Sequence, residues 1–147
     1  VGENLFTYHN DWRNMGLTLF WNFKDRLFQI DANFGFTAAV LEMLVYSNRE
    51  MIGILPALPG KWSAGSVQGV LTRTGAEVSI EWDMLAKRID VTLVARRGRE
   101  LTLRLPGKIA EVSCPTGCAV ADSPLGANCR RVTVGQNEPV RLTVTLR

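Results

Sequence analysis

From Lys61 to the end of the chain, apolar and polar residues alternate with a period of two. The runs are Ser66–Thr74, Ala76–Asp83, Arg88–Ala95, Glu100–Leu105, Ile109–Cys114, Cys129–Val134 and Val140–Leu146. In the third run Ile89, Val91 and Leu93 fall on one side and Asp90, Thr92 and Val94 on the other, which is how a half-buried strand reads. Turn formers separate the runs: Thr74-Gly75, Arg97-Gly98, Pro106-Gly107, Ser123-Pro124-Leu-Gly126 and Gly135-Gln-Asn137. Seven short strands at this spacing predict an antiparallel β-sandwich over 61–147.

Upstream the pattern changes. Phe34, Ala38, Leu41 and Val45 share one face of a predicted helix over Phe34–Ser47, widened by Met43, Leu44 and Tyr46, with Glu42 its only charge. A helix this apolar is expected to be buried against other helices, and few others are predicted here, so the chain reads as part of something larger. Met51-Ile-Gly-Ile54 reads as a short apolar strand running into a Pro-rich linker, 51–60, where Pro56 and Pro59 bar helix and central strand. Residues 1–27 hold no period for long and are rich in aromatics, as in His9-Asn-Asp-Trp-Arg-Asn14.

Composition narrows the function classes. With 147 residues, 46% hydrophobic and 21% charged, the chain folds as one ordinary domain or as a small domain with a piece of another. No apolar run approaches the ~20 residues of a bilayer span, so no membrane partner is expected. Residues 1–60 hold four basic residues against six acids, and 61–147 hold thirteen against eight. The later arginines mostly alternate with Leu and Val as on the wet face of a sheet, and only Arg96-Arg97-Gly98-Arg99 clusters, so no nucleic-acid partner is expected. Cys114, Cys118 and Cys129 are too few for a four-ligand zinc site and lie far from the sole histidine, His9; no metal or cofactor is expected. One disulfide, such as Cys114–Cys129, is allowed in an oxidising compartment.

Candidate chemistry centres on Phe28-Gln-Ile-Asp-Ala-Asn-Phe-Gly35, which places Asp31 and Asn33 two apart in an apolar run that leads into the helix. One reading is a helix cap, where Asp and Asn are the expected residues. The other is a carboxylate held by aromatics in a sugar-sized cleft. His9 with Asp11 nearby is a candidate pair or a hydrogen-bonded structural residue, and Trp12 and Trp21 are either flat faces for sugar C–H groups or aromatic filler.

These residues form an ordered set with others. The Phe28–Gly35 motif is followed by a Thr-Ala-rich helix ending Glu42-Met-Leu, then Ile54-Leu-Pro-Ala-Leu-Pro59, Trp62, Gly65-Ser-Val67 and Glu77-Val-Ser-Ile-Glu-Trp82. The set resembles the C-terminal end of glycoside hydrolase family 95, which contains inverting α-L-fucosidases and some α-L-galactosidases. The resemblance implies a mainly β chain: residues 1–50 would end an (α/α)6 catalytic barrel, 51–60 link, and 61–147 form the terminal β-sandwich. It implies that Asp31 matches the catalytic aspartate, which makes upstream asparagines basic enough to polarise the attacking water, while an upstream glutamic acid protonates the leaving oxygen. Inversion of this kind sets acid and base carboxyls roughly 6.5–9.5 Å apart to admit the water. Asn33, His9 and Trp12 become candidate substrate contacts. The implied partners are a fucosylated oligosaccharide and the upstream barrel of the same parent chain. Secretion or periplasmic residence follows from the resemblance alone, and a piece lacking the general acid is expected to be inactive. Two features depart from the family pattern: Ala32 replaces a glycine after the aspartate, and the lead-in is longer and richer in Trp. The competing reading is a non-catalytic β-sandwich module that braces a barrel or binds carbohydrate.

Overall fold

The computed structural model describes residues 30–147, with backbone alone at 30–33. Among the described residues one helix, α1 (Ile30–Leu44), precedes ten strands: β1 (Val45–Ser47), β2 (Met51–Ile54), β3 (Ala64–Leu71), β4 (Ala76–Asp83), β5 (Arg88–Ala95), β6 (Arg99–Arg104), β7 (Ile109–Ser113), β8 (Val120–Asp122), β9 (Cys129–Val134) and β10 (Val140–Leu146). They form two five-stranded sheets, ordered β1-β2-β6-β9-β8 and β3-β4-β5-β10-β7. All pairings are antiparallel except β2 with β6. The fold is mainly β, as the alternation predicts, and each of the seven predicted strands is present.

Period-two alternation puts the apolar residues of both sheets into one core. Ile52, Ile54, Leu101, Leu103, Val132 and Val134 from the first sheet are buried, as are Val78, Ile80, Val91, Leu93, Leu142 and Val144 from the second. Burying side chains of this size stabilises the fold by about 1.5–3 kcal/mol each. Gly65 and Trp82 are cross-strand partners, and the indole covers the glycine so closely that a Cβ there would lie 2.6 Å from the ring. The Trp82 Nε1–H donates to the Trp62 carbonyl at 3.0 Å, which satisfies its polar edge.

The turns follow from local chemistry. Between β3 and β4, the Thr72 hydroxyl donates to the Ala76 carbonyl at 2.6 Å, so the Thr74 hydroxyl donates to Thr72 across 2.8 Å. Gly75 completes this turn at φ +80°, a conformation open to glycine without steric cost. Between β4 and β5, Asp83 Oδ1 accepts the N–H groups of Leu85 and Ala86, both at 2.9 Å.

Two expectations need correction. The helix was expected to run to Ser47, but it stops at Leu44, and Val45–Ser47 is a strand. The β-branched Val45 and the aromatic Tyr46 suit a strand, and Asn48 turns the chain by accepting the N–H groups of Glu50 and Met51 at 2.8 Å. Among the described residues of the apolar helix, Phe34 is 67% and Phe36 45% exposed, so the cover expected from other helices is not supplied by the described residues. Finally, Cys114 bonds Cys118, not Cys129. The Gly117 N–H donates to the Cys114 carbonyl at 3.0 Å, and the turn brings the two Cα atoms within 5.9 Å, inside disulfide range. Cys129 is a buried free thiol.

Residues 45–54 therefore belong to the first sheet, and the chain resolves into two compact units that part between Val40 and Leu41. Of the 51–60 stretch, Met51–Ile54 is β2, and only the residues after it are irregular.

Candidate functional site

Among the described residues helix α1 runs over Ile30–Leu44, and the backbone of Asp31 and Asn33 lies in its first described turn. A carboxylate in a first turn is favoured by the free N–H groups and by the positive end of the helix dipole. His9 and Trp12 lie outside the described residues.

The opposite end of the same helix is described in full, and the sandwich holds it. The last carbonyls of a helix lack intrahelical donors. Here the Leu55 N–H donates to the Leu44 carbonyl at 2.8 Å and the Ala57 N–H to the Met43 carbonyl at 3.2 Å. Leu55 reaches this position at φ +51°, unusual for a residue with a Cβ, while its side chain is fully buried. The β3–β4 turn supplies a second tie. Arg73 donates its backbone N–H to Ser47 Oγ at 2.9 Å, its Nη1 to the Ser47 carbonyl at 3.2 Å and its Nη2 to Glu42 Oε1 at 3.2 Å. Glu42 is thus an exposed ion-pair partner.

Among the described residues, the most developed carboxylate cluster lies on the outer face of the second sheet. Asp90 accepts from Arg88 at 2.8 and 3.1 Å and from the Thr143 hydroxyl at 2.6 Å. Partial burial pushes its carboxyl pKa up, but the hydrogen bonds from Arg88 and Thr143 and the Arg88 charge together outweigh that, leaving it below the ordinary value. The same contacts raise the Arg88 pKa, its hydrogen bond to Asp90 first and the Asp90 charge next. A carboxylate so occupied stays ionised and is poorly suited to deliver a proton.

A third feature was not singled out in the sequence. Tyr46, Gly53 and Arg104 are register partners across β1, β2 and β6 and line a cavity of about 240 Å³ with Pro56, Asn128 and their neighbours. The signal was present in Val45-Tyr46-Ser47, whose residues favour strand, but the helical pattern ahead of it was extended through them.

The architecture defines an antiparallel-rich β-sandwich domain joined to the end of a helix. Residues 46–127 match the family model described as glycoside hydrolase family 95, C-terminal domain, and the chain belongs to that family. It is similar to Alpha-L-fucosidase 2 of Arabidopsis thaliana, 45% identical over 92 residues that cover 56% of this chain and 11% of that protein. It is also similar to Probable alpha-fucosidase A of Aspergillus oryzae, 42% identical over 66 residues (38% of this chain, 9% of that protein). With the Aspergillus niger protein of the same name it shares 36% identity over 67 residues, 38% of this chain and 8% of that protein. The chain spans about a tenth of the length of the curated relatives it matches.

Proposed function

We propose that this chain is the terminal piece of a longer inverting α-L-fucosidase, in which Asp31 takes part in acid/base chemistry and the sandwich braces the helix that carries it. The observation that carries this reading is the double tie on the last turn of α1, through Leu55 and Ala57 on one side and Arg73 on the other. The exposed Phe34 and Phe36 support the same reading, because a barrel supplied by the rest of the parent chain would cover them. In this reading the barrel's last segment lies within residues 1–50, and the strands of the two sheets, from β1 onward, belong to the bracing sandwich. Asn33, His9 and Trp12 are the proposed sugar contacts.

In this scheme Asp31 raises the basicity of asparagines that polarise the attacking water, while an acid elsewhere in the parent protonates the leaving oxygen. The substrate is a glycan ending in α-linked L-fucose or L-galactose. The test is an assay of released sugar from a fucosylated oligosaccharide, with the parent protein and the 147-residue chain side by side. The reading expects turnover with inversion from the parent and none from the chain alone. Retention of configuration, or activity in the isolated chain, would overturn it.

A further inference from the structure

We propose that the outer face of the first sheet binds an acidic sugar, a uronic-acid residue of a glycan, in the dimple between Tyr46 and Arg104 above Gly53. The site is independent of Asp31 and of catalysis.

The dimple follows from strand register. Tyr46 pairs with Gly53, and Gly53 with Arg104, so the three lie side by side on neighbouring strands. Their neighbours Val45, Ile52, Ile54 and Leu103 point into the core, so Tyr46 and Arg104 face the opposite side, flanking Gly53, whose backbone is buried between them and beside Pro56. Tyr46 and Arg104 stand two strand spacings apart, about 9.5 Å. Between them Gly53 contributes no side chain. A glycine inside a strand weakens it, and its usual justification is a bulge, a bend or the close approach of a ligand. No register irregularity occurs at Gly53 and its φ is not positive. A Cβ there would meet only ordinary contacts, 3.6 Å from Tyr46 Cβ and 3.7 Å from Pro56 Cβ, so packing alone does not require glycine.

The walls have complementary chemistry. The Arg104 side chain makes no hydrogen bond or ion pair among the described residues, whereas Arg130 and Arg131 in the same sheet pair with Asp122 and Glu100. A planar guanidinium left open is matched to a carboxylate by two parallel hydrogen bonds. Opposite it, Tyr46 offers an aromatic body with a hydroxyl that has no partner among the described residues. At the rim, Asn128 is fixed by donating Nδ2–H to the Leu105 carbonyl at 3.0 Å, and the Leu105 N–H returns a bond to the Asn128 carbonyl at 2.9 Å. The volume, about 240 Å³, lies below the roughly 300–1,000 Å³ of clefts for drug-sized ligands, which suits one ring better than a chain.

The test is titration of the 147-residue chain, followed by amide chemical shifts, with three ligands: an oligogalacturonate, a neutral oligogalactose and acetate. Expected is saturable binding of the oligogalacturonate with shifts centred on Tyr46, Gly53 and Arg104. Arg104→Gln and Gly53→Val should each weaken it at least tenfold while the chain keeps its Tm, and Gly53→Ala serves as a folding control. Failure of the oligogalacturonate to saturate, or binding undiminished in Arg104→Gln, would overturn the proposal. Equal binding of the neutral sugar would show that the carboxylate is not read, and equal binding of acetate would show a bare anion site; either also overturns it.

Discussion

Arg73 and Ser47 meet twice: the Arg73 backbone N–H donates to Ser47 Oγ at 2.9 Å and its Nη1 to the Ser47 carbonyl at 3.2 Å. The pair joins the β3–β4 turn to β1, and the third contact of Arg73, to Glu42, extends the link to the last turn of α1. The contacts differ in worth. Ser47 is buried, so Ser47→Ala strands an N–H and should cost about 1–2 kcal/mol. The Glu42 pair is exposed on both sides, and Glu42→Gln should cost less than about 0.5 kcal/mol. Urea unfolding of the two variants checks the ranking, and equal losses would contradict it.

The first sheet needs β2. Ile52 is fully buried and pairs in register with Ser47 and Leu103. Ile52→Ala should lose about 2–5 kcal/mol through lost contacts and an unfilled cavity. A chain begun at Lys61 loses β1 and β2 and bares the edge of β6, so it should aggregate, whereas one begun at Leu41 should unfold cooperatively. Thermal melts and size-exclusion chromatography distinguish these outcomes.

How much of this was legible follows from which forces are local. Alternation in Arg88–Ala95 or Val140–Leu146 announces a strand because one face must be buried, and each such run was placed correctly. Val45–Ser47 was misread because the helical stripe of Phe34–Leu44 continues in phase to Val45, and only the Asn48 turn shows that the chain reverses. The parallel partnership of β2 with β6 joins residues about fifty positions apart and leaves no local trace. The disulfide partner of Cys114 was set by the turn at Gly117, which cysteine counting does not reveal. Asp31 was singled out by an ordered set of motifs, a signal carried by the order of residues and not by any local geometry.

Asp90 gives the acid limb of stability a definite sign. Its folded pKa is held below the ordinary carboxylate value, so its contribution is complete above the unfolded value of about 3.9 and is lost as pH falls through the folded value. Asp90→Asn should therefore be less stable than the parent sequence at pH 7, with the gap closing below about pH 4. Denaturant midpoints at pH 7, 5 and 3 test this, and a gap that widens on acidification contradicts it. The effect should be small, because the side chain is 36% exposed.

Thiol counting tests the cysteine arrangement. With Cys114 bonded to Cys118 and Cys129 buried and free, the native chain should react slowly with a thiol reagent. It should yield one thiol when unfolded without reductant and three after reduction. Replacing Cys114 and Cys118 by serine should cost at most about 2 kcal/mol, since so short a loop restrains little unfolded-chain entropy.

The central claim, that Asp31 serves chemistry and not only the start of a helix, is tested most directly by Asp31→Asn in the full-length parent, with turnover of a fucosylated oligosaccharide and Tm measured on the same preparation. The account predicts a fall in turnover of about 10²–10⁴-fold or more with Tm nearly unchanged. A turnover within tenfold of the parent, accompanied by a clear drop in Tm, would contradict it and leave Asp31 as a helix cap.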